Sequence, residues 1–148
     1  MKLRLFLSST FEDLQDARAR IARLLSVIPV DLVQMELFGS DESQPIDYAL
    51  QRVRESQIFV GVYAERYGAV DPKSSLSITE LEYREAAELL KQGASAGLLV
   101  YILDSKATWP VHLVDRDPEQ VARLASFKRT LKASHVVTFF RDLTPQAT

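Results

Sequence analysis

The strongest constraint on the fold is the run Ile58–Tyr63, IFVGVY, near the middle of the chain. Its β-branched, aromatic and glycine residues show no polar alternation, which is typical of a strand that helices cover on both faces. The segment Gly97–Leu103, GLLVYIL, has the same apolar character. Because strands of this kind belong to parallel sheets, we predict a parallel sheet with Ile58–Tyr63 as its central strand.

The rest of the chain alternates between strand-like and helix-like segments. Further short strands are predicted at residues 3–7, 32–37 and 135–140, and a segment with helical spacing of apolar residues follows each strand but the last. On the first helix the polar residues, mostly on its outer face, are Asp16, Arg18, Arg20 and Arg23. Right-handed crossovers then predict a three-layer α/β/α sandwich with five parallel strands in the flavodoxin-like order 2-1-3-4-5.

Length and composition narrow the classes of protein. With 148 residues and a formal net charge of −2, we expect one domain over residues 1–143, a disordered end or linker at 144–148, and no nucleic-acid partner. Zero cysteines exclude disulfides and thiolate metal sites, and His112 and His135 lie in late segments, so no metal site is predicted. Neither a leader nor an apolar run of about 18 residues is present, so we predict a cytoplasmic location and no membrane partner.

Polar side chains follow the first and third predicted strands, at the edge of the sheet where ligands bind. In the predicted order these strands flank the topological switch point, so their carboxyl ends face each other across a crevice. The residues predicted to bind substrate there are Ser8, Ser9, Thr10, Tyr63, Arg66 and Tyr67. The three hydroxyl groups after the first strand either bind phosphate or ribose or cap the next helix. The tyrosines either stack on a base or pack at the strand end, and the arginine pairs either with phosphate or with a surface acid.

Two acids lie near this edge, Glu80 and Glu82, on the helix predicted to begin near Thr79. With successive residues about 100° apart they flank the apolar face on opposite sides, so periodicity alone does not choose between them. As a helix-start acid, Glu80 also stabilises the helix by a few tenths to about 1 kcal/mol. The motifs GxGxxG, GxxxxGK, GxSxG and HExxH are absent, so the usual dinucleotide, P-loop, hydrolase and zinc sites have no local support.

Four stretches of the chain carry a resemblance to a known family. They are LFLSSTFEDLQDAR at 5–18, MELF at 35–38, IFVGVYAERYG at 58–68 and SITELEYREA at 77–86. Together they resemble a family of uncharacterised domains that usually sit at the N-terminus of larger signalling proteins, ahead of NACHT-type or other STAND NTPase modules and helical repeats. That family is more remotely similar to Toll/interleukin-1 receptor (TIR) domains and nucleoside deoxyribosyltransferases, which are flavodoxin-like.

The resemblance implies a chemistry. In the remote relatives an acid at the start of the helix after the central strand works on an N-glycosidic bond, and the matching position here is Glu80, our predicted catalytic residue. Ser8, Ser9, Arg66 and Tyr63 would then hold phosphate, ribose or base. The implied substrate is NAD or a related nucleotide, with no resident cofactor. Self-association and further domains of the same longer chain are implied as partners.

A rival hypothesis of equal weight is a non-catalytic module that uses the same fold for homotypic assembly or partner docking. An enzyme should have Glu80 lining an open cleft with Ser8 and Tyr63, whereas an interaction module can have that cleft filled by its own side chains. A third hypothesis, a nucleotide sensor without turnover, predicts an open cleft with a poorly placed acid.

Overall fold

The computed structural model describes residues 3–11, 13–34 and 46–141. Its elements are β1 (Leu3–Ser8), α1 (Gln15–Leu25), β2 (Val30–Gln34), α2 (Ile46–Arg54), β3 (Ile58–Tyr63), α3 (Ile78–Lys91), β4 (Gly97–Leu103), a short 3₁₀ turn (Val111–Leu113), α4 (Pro118–Ser134) and β5 (Val137–Phe140). The predicted end at 144–148 and the MELF segment lie outside the described residues.

Within the described part, five strands form one sheet in the order β2-β1-β3-β4-β5, and every neighbouring pair is parallel. This confirms the predicted α/β fold and strand order. β3 is the central strand: Ile58 pairs with Leu5 on one side and with Gly97 on the other. Its lack of polar alternation follows from this position, because neither face of β3 is left to solvent.

Helices cover both faces of the sheet. One core cluster joins α2, α3 and α4 to the sheet through Val53, Tyr83, Ala86, Leu124, Phe127 and Leu131. The opposite cluster joins α1 to the sheet through Leu14, Ala17, Leu7, Val62 and Leu103. The molecule is therefore the three-layer sandwich that right-handed crossovers predict. No helix in the described ranges has the length and apolar character needed to cross a membrane.

Several element boundaries differ from the sequence-based expectation; β2, for example, begins at Val30 and not at residue 32. The last strand was predicted to begin at His135, but β5 begins at Val137. The backbone N–H of His135 donates to the carbonyl of Leu131 at 3.0 Å, so this residue closes α4 instead of opening the strand. The first helix begins at Gln15, later than expected if the hydroxyl groups after β1 cap it. Its N-cap is Leu14, which makes no side-chain capping hydrogen bond, and Thr10 donates to the side chain of Asp13.

Gly61 allows an unusual side-chain position on β3. A Cβ atom built on this glycine would lie 2.5 Å from the hydroxyl oxygen of Tyr63 and 2.6 Å from its ring. The tyrosine ring therefore folds back along its own strand over Gly61, where it also packs edge-on against Phe127 at a centroid distance of 5.0 Å. Because Gly61 pairs with Ser8 on β1, this position brings the tyrosine hydroxyl to the end of β1.

We predict that Gly61→Ala lowers the free energy of unfolding by roughly 1–3 kcal/mol, because the added methyl group collides with the Tyr63 ring. Urea unfolding measures this directly. Gly97→Ala is the matched control: it also lies in a strand, but nothing lies within 4 Å of its built Cβ, so we expect a change within about 0.5 kcal/mol. Equal stabilities for the two variants would contradict the folded-back ring.

Candidate functional site

The candidate site lies where the carboxyl ends of β1 and β3 meet the start of α3. β1 and β3 are neighbours whose following helices, α1 and α3, lie on opposite faces of the sheet, so this is the topological switch point. Ser77 is the N-cap of α3, and its Oγ accepts the backbone N–H of Glu80 at 3.1 Å. This cap fixes the start of the helix and thereby the direction of the acids that follow.

A chain of three hydrogen-bonded side chains occupies the switch point; we call it the Ser8 cluster, formed by Ser8, Tyr63 and Glu82. The Tyr63 hydroxyl donates to Ser8 Oγ at 3.3 Å, and the Ser8 hydroxyl donates to Oε1 of Glu82 at 2.9 Å. Their exposed fractions are 0% for Ser8 and 3% for each of the other two. The cluster is thus enclosed by protein.

Burial raises the pKa of Glu82 to about 8, although the hydrogen bond from Ser8 and the positive charge of Arg18 both lower it. The pKa of Tyr63 is also raised, again chiefly by burial. Glu82 is therefore mostly protonated at neutral pH. A modest change in its surroundings would lower its pKa enough for it to ionise. A titratable group with such a shifted pKa is a marker of functional sites.

We predict that Glu82 makes the protein less stable as pH rises. The folded state keeps the proton between the ordinary pKa of 4.5 and the folded pKa of about 8, while the unfolded state loses it. The free energy of unfolding therefore falls across this window by up to about 1.4 kcal/mol per pH unit and levels off above it. Glu82→Gln has no such proton, so its stability relative to wild type rises with pH.

The measurement is urea unfolding of wild type and Glu82→Gln between about pH 5 and pH 8. Glu88→Gln is the control, because Glu88 lies exposed on the same helix; its curve should run parallel to wild type. Parallel curves for Glu82→Gln as well would show that Glu82 ionises normally.

Glu80, the predicted catalytic residue, belongs to a different set of contacts. Its Oε1 accepts the Tyr67 hydroxyl at 2.7 Å, and its Oε2 lies 2.7 Å from Nη2 of Arg84, a side chain that is 61% exposed. The carboxyl that contacts Ser8 belongs to Glu82. The arrangement expected of an enzyme, with Glu80 lining an open cleft beside Ser8 and Tyr63, is not the one described: Tyr67 and Arg84 engage both carboxylate oxygens of Glu80, and the Ser8 cluster is enclosed. The catalytic role of Glu80 therefore stays a prediction.

The remaining predicted binding residues lie along the edge formed by the carboxyl ends of β1 and β3 and the start of α3, which we call the rim. Thr10 donates to Asp13, whose pKa is raised by burial against the lowering effects of Thr10 and of the nearby Arg66 charge. The backbone N–H of Tyr67 donates to Asp115 Oδ2 at 2.7 Å. Thr10, Arg66 and Tyr67 therefore lie around two carboxylates, Asp13 and Asp115, that sequence reasoning did not single out.

Arg18 is a further residue that sequence reasoning missed, because the polar residues of α1 are predicted to lie mostly on its outer face. It is 4% exposed, and its Nη1 donates to the carbonyl of Ser9 at 3.2 Å and to Ser9 Oγ at 3.1 Å. A signal was present: Arg18 is four residues after Leu14 and three before Ile21, which places it within the apolar stripe. Ser9, a predicted binding residue, is thus held by α1.

Gly68 brings the two halves of the rim together. It has a φ of 96°, a conformation that favours glycine, and a Cβ there would lie 3.0 Å from Thr10 Cγ2 and 3.3 Å from Thr79 Oγ1. Thr79 in turn donates to the carbonyl of Tyr67 at 3.0 Å. The turn after β3 is therefore packed tightly between the end of β1 and the start of α3.

Cavities of about 180 and 270 Å³ lie on either side of Lys128, beyond β4 and next to α4. Neither is lined by the Ser8 cluster or by Glu80. Among the described side chains, no group of three or more acids, histidines or cysteines is placed to hold a metal ion. His135 contacts the Tyr83 hydroxyl through Nε2 at 2.5 Å, and burial lowers its pKa.

The fold and this rim define the class: a parallel α/β domain with a buried acid at its topological switch point. Residues 4–145 match the model of the family described as a domain of unknown function, DUF4062. The chain belongs to this family. It is also similar to telomerase protein component 1 of Mus musculus, at 27% identity over an aligned length of 178, which takes in 92% of this chain and 7% of the relative. The chain thus spans only a small part of that relative's length.

Proposed function

We propose that this domain is a TIR-like effector domain of a longer cytoplasmic signalling protein, and that it binds a nucleotide such as NAD and cleaves its N-glycosidic bond after self-association. The observation that carries the proposal is the Ser8 cluster: a buried glutamic acid with a raised pKa, hydrogen-bonded at the ends of β1 and β3. Ligands of open α/β sheets bind at this point, and shifted pKa values concentrate at catalytic sites.

In the proposed reaction, the acid next to the ribose first releases its proton to water; its carboxylate then attacks the anomeric carbon C1′ or stabilises an oxocarbenium-like transition state. The bond from C1′ to the nicotinamide nitrogen breaks, and its electron pair passes to the ring nitrogen, which loses its positive charge. No second acid is needed to protonate this leaving group. Water then supplies the hydroxyl group at C1′ and releases one proton; where the carboxylate has formed an ester with C1′, water breaks that ester bond and the carboxylate is regenerated.

Two acids compete for this role. Glu82 is favoured by geometry, because it contacts Ser8 and lies in the hydrogen-bonded chain with Tyr63. Glu80 is favoured by the resemblance, and its contacts are Tyr67 and Arg84. We assign the reaction to Glu82. Because Glu82 is enclosed, the proposal requires the rim to open, and self-association is the step that we propose opens it.

The other predicted binding residues would hold the rest of the nucleotide. Arg66 is half-buried and its charge acts on Asp13; it suits a phosphate because a guanidinium binds two oxygens at once. Ser9 and Thr10 would offer hydroxyl groups to phosphate or ribose. Tyr67 is 1% exposed and belongs to the core, so its aromatic face would reach a base only after the same opening of the rim.

The second candidate function is a non-catalytic module for homotypic assembly. It is favoured by the enclosure of the Ser8 cluster and by the ion pair that occupies Glu80. In that case the cluster serves only to join β1, β3 and α3, and the domain acts through its surface.

We predict that the concentrated wild-type domain releases nicotinamide from NAD and that Glu82→Gln lowers the rate at least about 100-fold. Glu80→Gln removes the Arg84 ion pair but leaves the Ser8 cluster intact, so we expect a loss within about tenfold. The exposed Glu88→Gln is the control and should match wild type. Nicotinamide formation, followed by chromatography, measures all four proteins.

Loss of activity with Glu80→Gln alone would transfer the catalytic role to Glu80. No nicotinamide from wild type, at protein concentrations where sedimentation shows self-association, would contradict the enzyme and leave the interaction module as the function.

A further inference from the structure

Arg18 is a buried cation beside the Ser8 cluster for which the mechanism above has no use. It lies in the first turn of α1, and only 4% of it is exposed. Burying a guanidinium costs several kcal/mol unless hydrogen bonds and opposite charge compensate it. Its retention inside the molecule therefore needs a physical reason.

The guanidinium is held in one place by the residues that follow β1. Nη1 donates to both the carbonyl and the hydroxyl oxygen of Ser9, at 3.2 and 3.1 Å. The guanidinium carbon also lies 5.5 Å from the centroid of the Phe11 ring. Contacts with a side chain, a backbone carbonyl and a ring leave a planar group little freedom, so the position of this charge is fixed by the end of β1.

Arg18 and Glu82 are anchored to successive residues of the same strand end. Arg18 is bonded to Ser9, and Glu82 accepts the hydroxyl of Ser8 at 2.9 Å. Because Ser8 and Ser9 are adjacent, the two charged groups lie at the same end of β1, and the positive charge of Arg18 lowers the pKa of Glu82 against the larger effect of burial.

Tyr63 of β3 is the other ionisable member of the cluster, and Glu80, Glu82 and Tyr83 of α3 all raise its pKa. None of these four side chains carries positive charge in any protonation state. β1 contributes the neutral hydroxyl of Ser8. Of the ionisable side chains named around Glu82, Arg18 is therefore the one that can offset a negative charge there.

We propose that Arg18 is a positioning residue: anchored on Ser9, its guanidinium compensates the negative charge of Glu82 when that carboxyl ionises inside the enclosed site. Its consequence for catalysis rests on the proposed function, because only an ionised Glu82 can attack or stabilise the ribose. The coupling between the two side chains is independent of turnover and can be measured without it.

The first test is a carbon NMR titration of the Glu82 carboxyl in wild type, Arg18→Met and Arg18→Lys. Loss of the charge in Arg18→Met should raise the midpoint of Glu82 by about one pH unit or more. Arg18→Lys keeps the charge and should bring the midpoint back to within about half a unit of wild type. A folded Arg18→Met protein that titrates like wild type would overturn the proposal.

A second measurement needs no change at Arg18, and so decides the matter even if Arg18→Met does not fold. In wild type, the guanidinium nitrogen resonances of Arg18 should shift with the same midpoint as the Glu82 carboxyl. In Glu82→Gln this shift should disappear. Arg18 resonances that stay constant while Glu82 ionises would overturn the proposal.

Failure of this inference can be told from failure of the proposed function. Coupled titration of Arg18 and Glu82 without any nicotinamide release would contradict the proposed enzymatic function but support the coupling between the two side chains. Nicotinamide release together with independent titration of Arg18 and Glu82 would support the enzyme and overturn the coupling between the two side chains. If both hold, the rate of Arg18→Met should fall at neutral pH and recover at higher pH, with its pH profile displaced by about one unit.

Discussion

The hydrogen bond from Ser8 to Glu82 is the contact on which the rest of the rim depends. A carboxyl group inside a protein is costly unless it is hydrogen-bonded, and this bond supplies that partner while joining β1 to α3. Tyr63 closes the chain from β3, and it reaches Ser8 because Gly61 leaves room for its ring. Gly61 in the central strand thus makes room for the Ser8 cluster. This dependence links the fold to the candidate site.

Most of the fold could be predicted from the sequence. The unbroken apolar runs of β3 and β4 indicate strands covered on both faces, and the handedness of crossovers then leaves few strand orders. The end of α4 was predicted less well, because whether His135 continues the helix or opens a strand depends on tertiary packing. Its ring contact with Tyr83, 52 residues away, is such an interaction.

The candidate site was predicted only in part. The sequence identified the switch point, and Ser8 and Tyr63 do meet there, but it could not rank Glu80 and Glu82. The two acids are about 200° apart on one helix, and which of them faces the sheet depends on how α3 rotates as Tyr83 and Ala86 pack into the core. The resemblance favoured Glu80, whereas the contacts with Ser8 belong to Glu82.

In the proposed reaction, Glu82 is the acid that meets the nucleotide. The most direct test is carbon NMR of the labelled glutamate carboxyl groups while a carbocyclic NAD analogue, which cannot form the oxocarbenium ion, is added to the wild-type domain. We predict that the Glu82 resonance moves towards its ionised position on binding while that of Glu88 stays constant. Saturable binding of the analogue that shifts the Glu80 resonance and leaves the Glu82 resonance unchanged would contradict this role of Glu82.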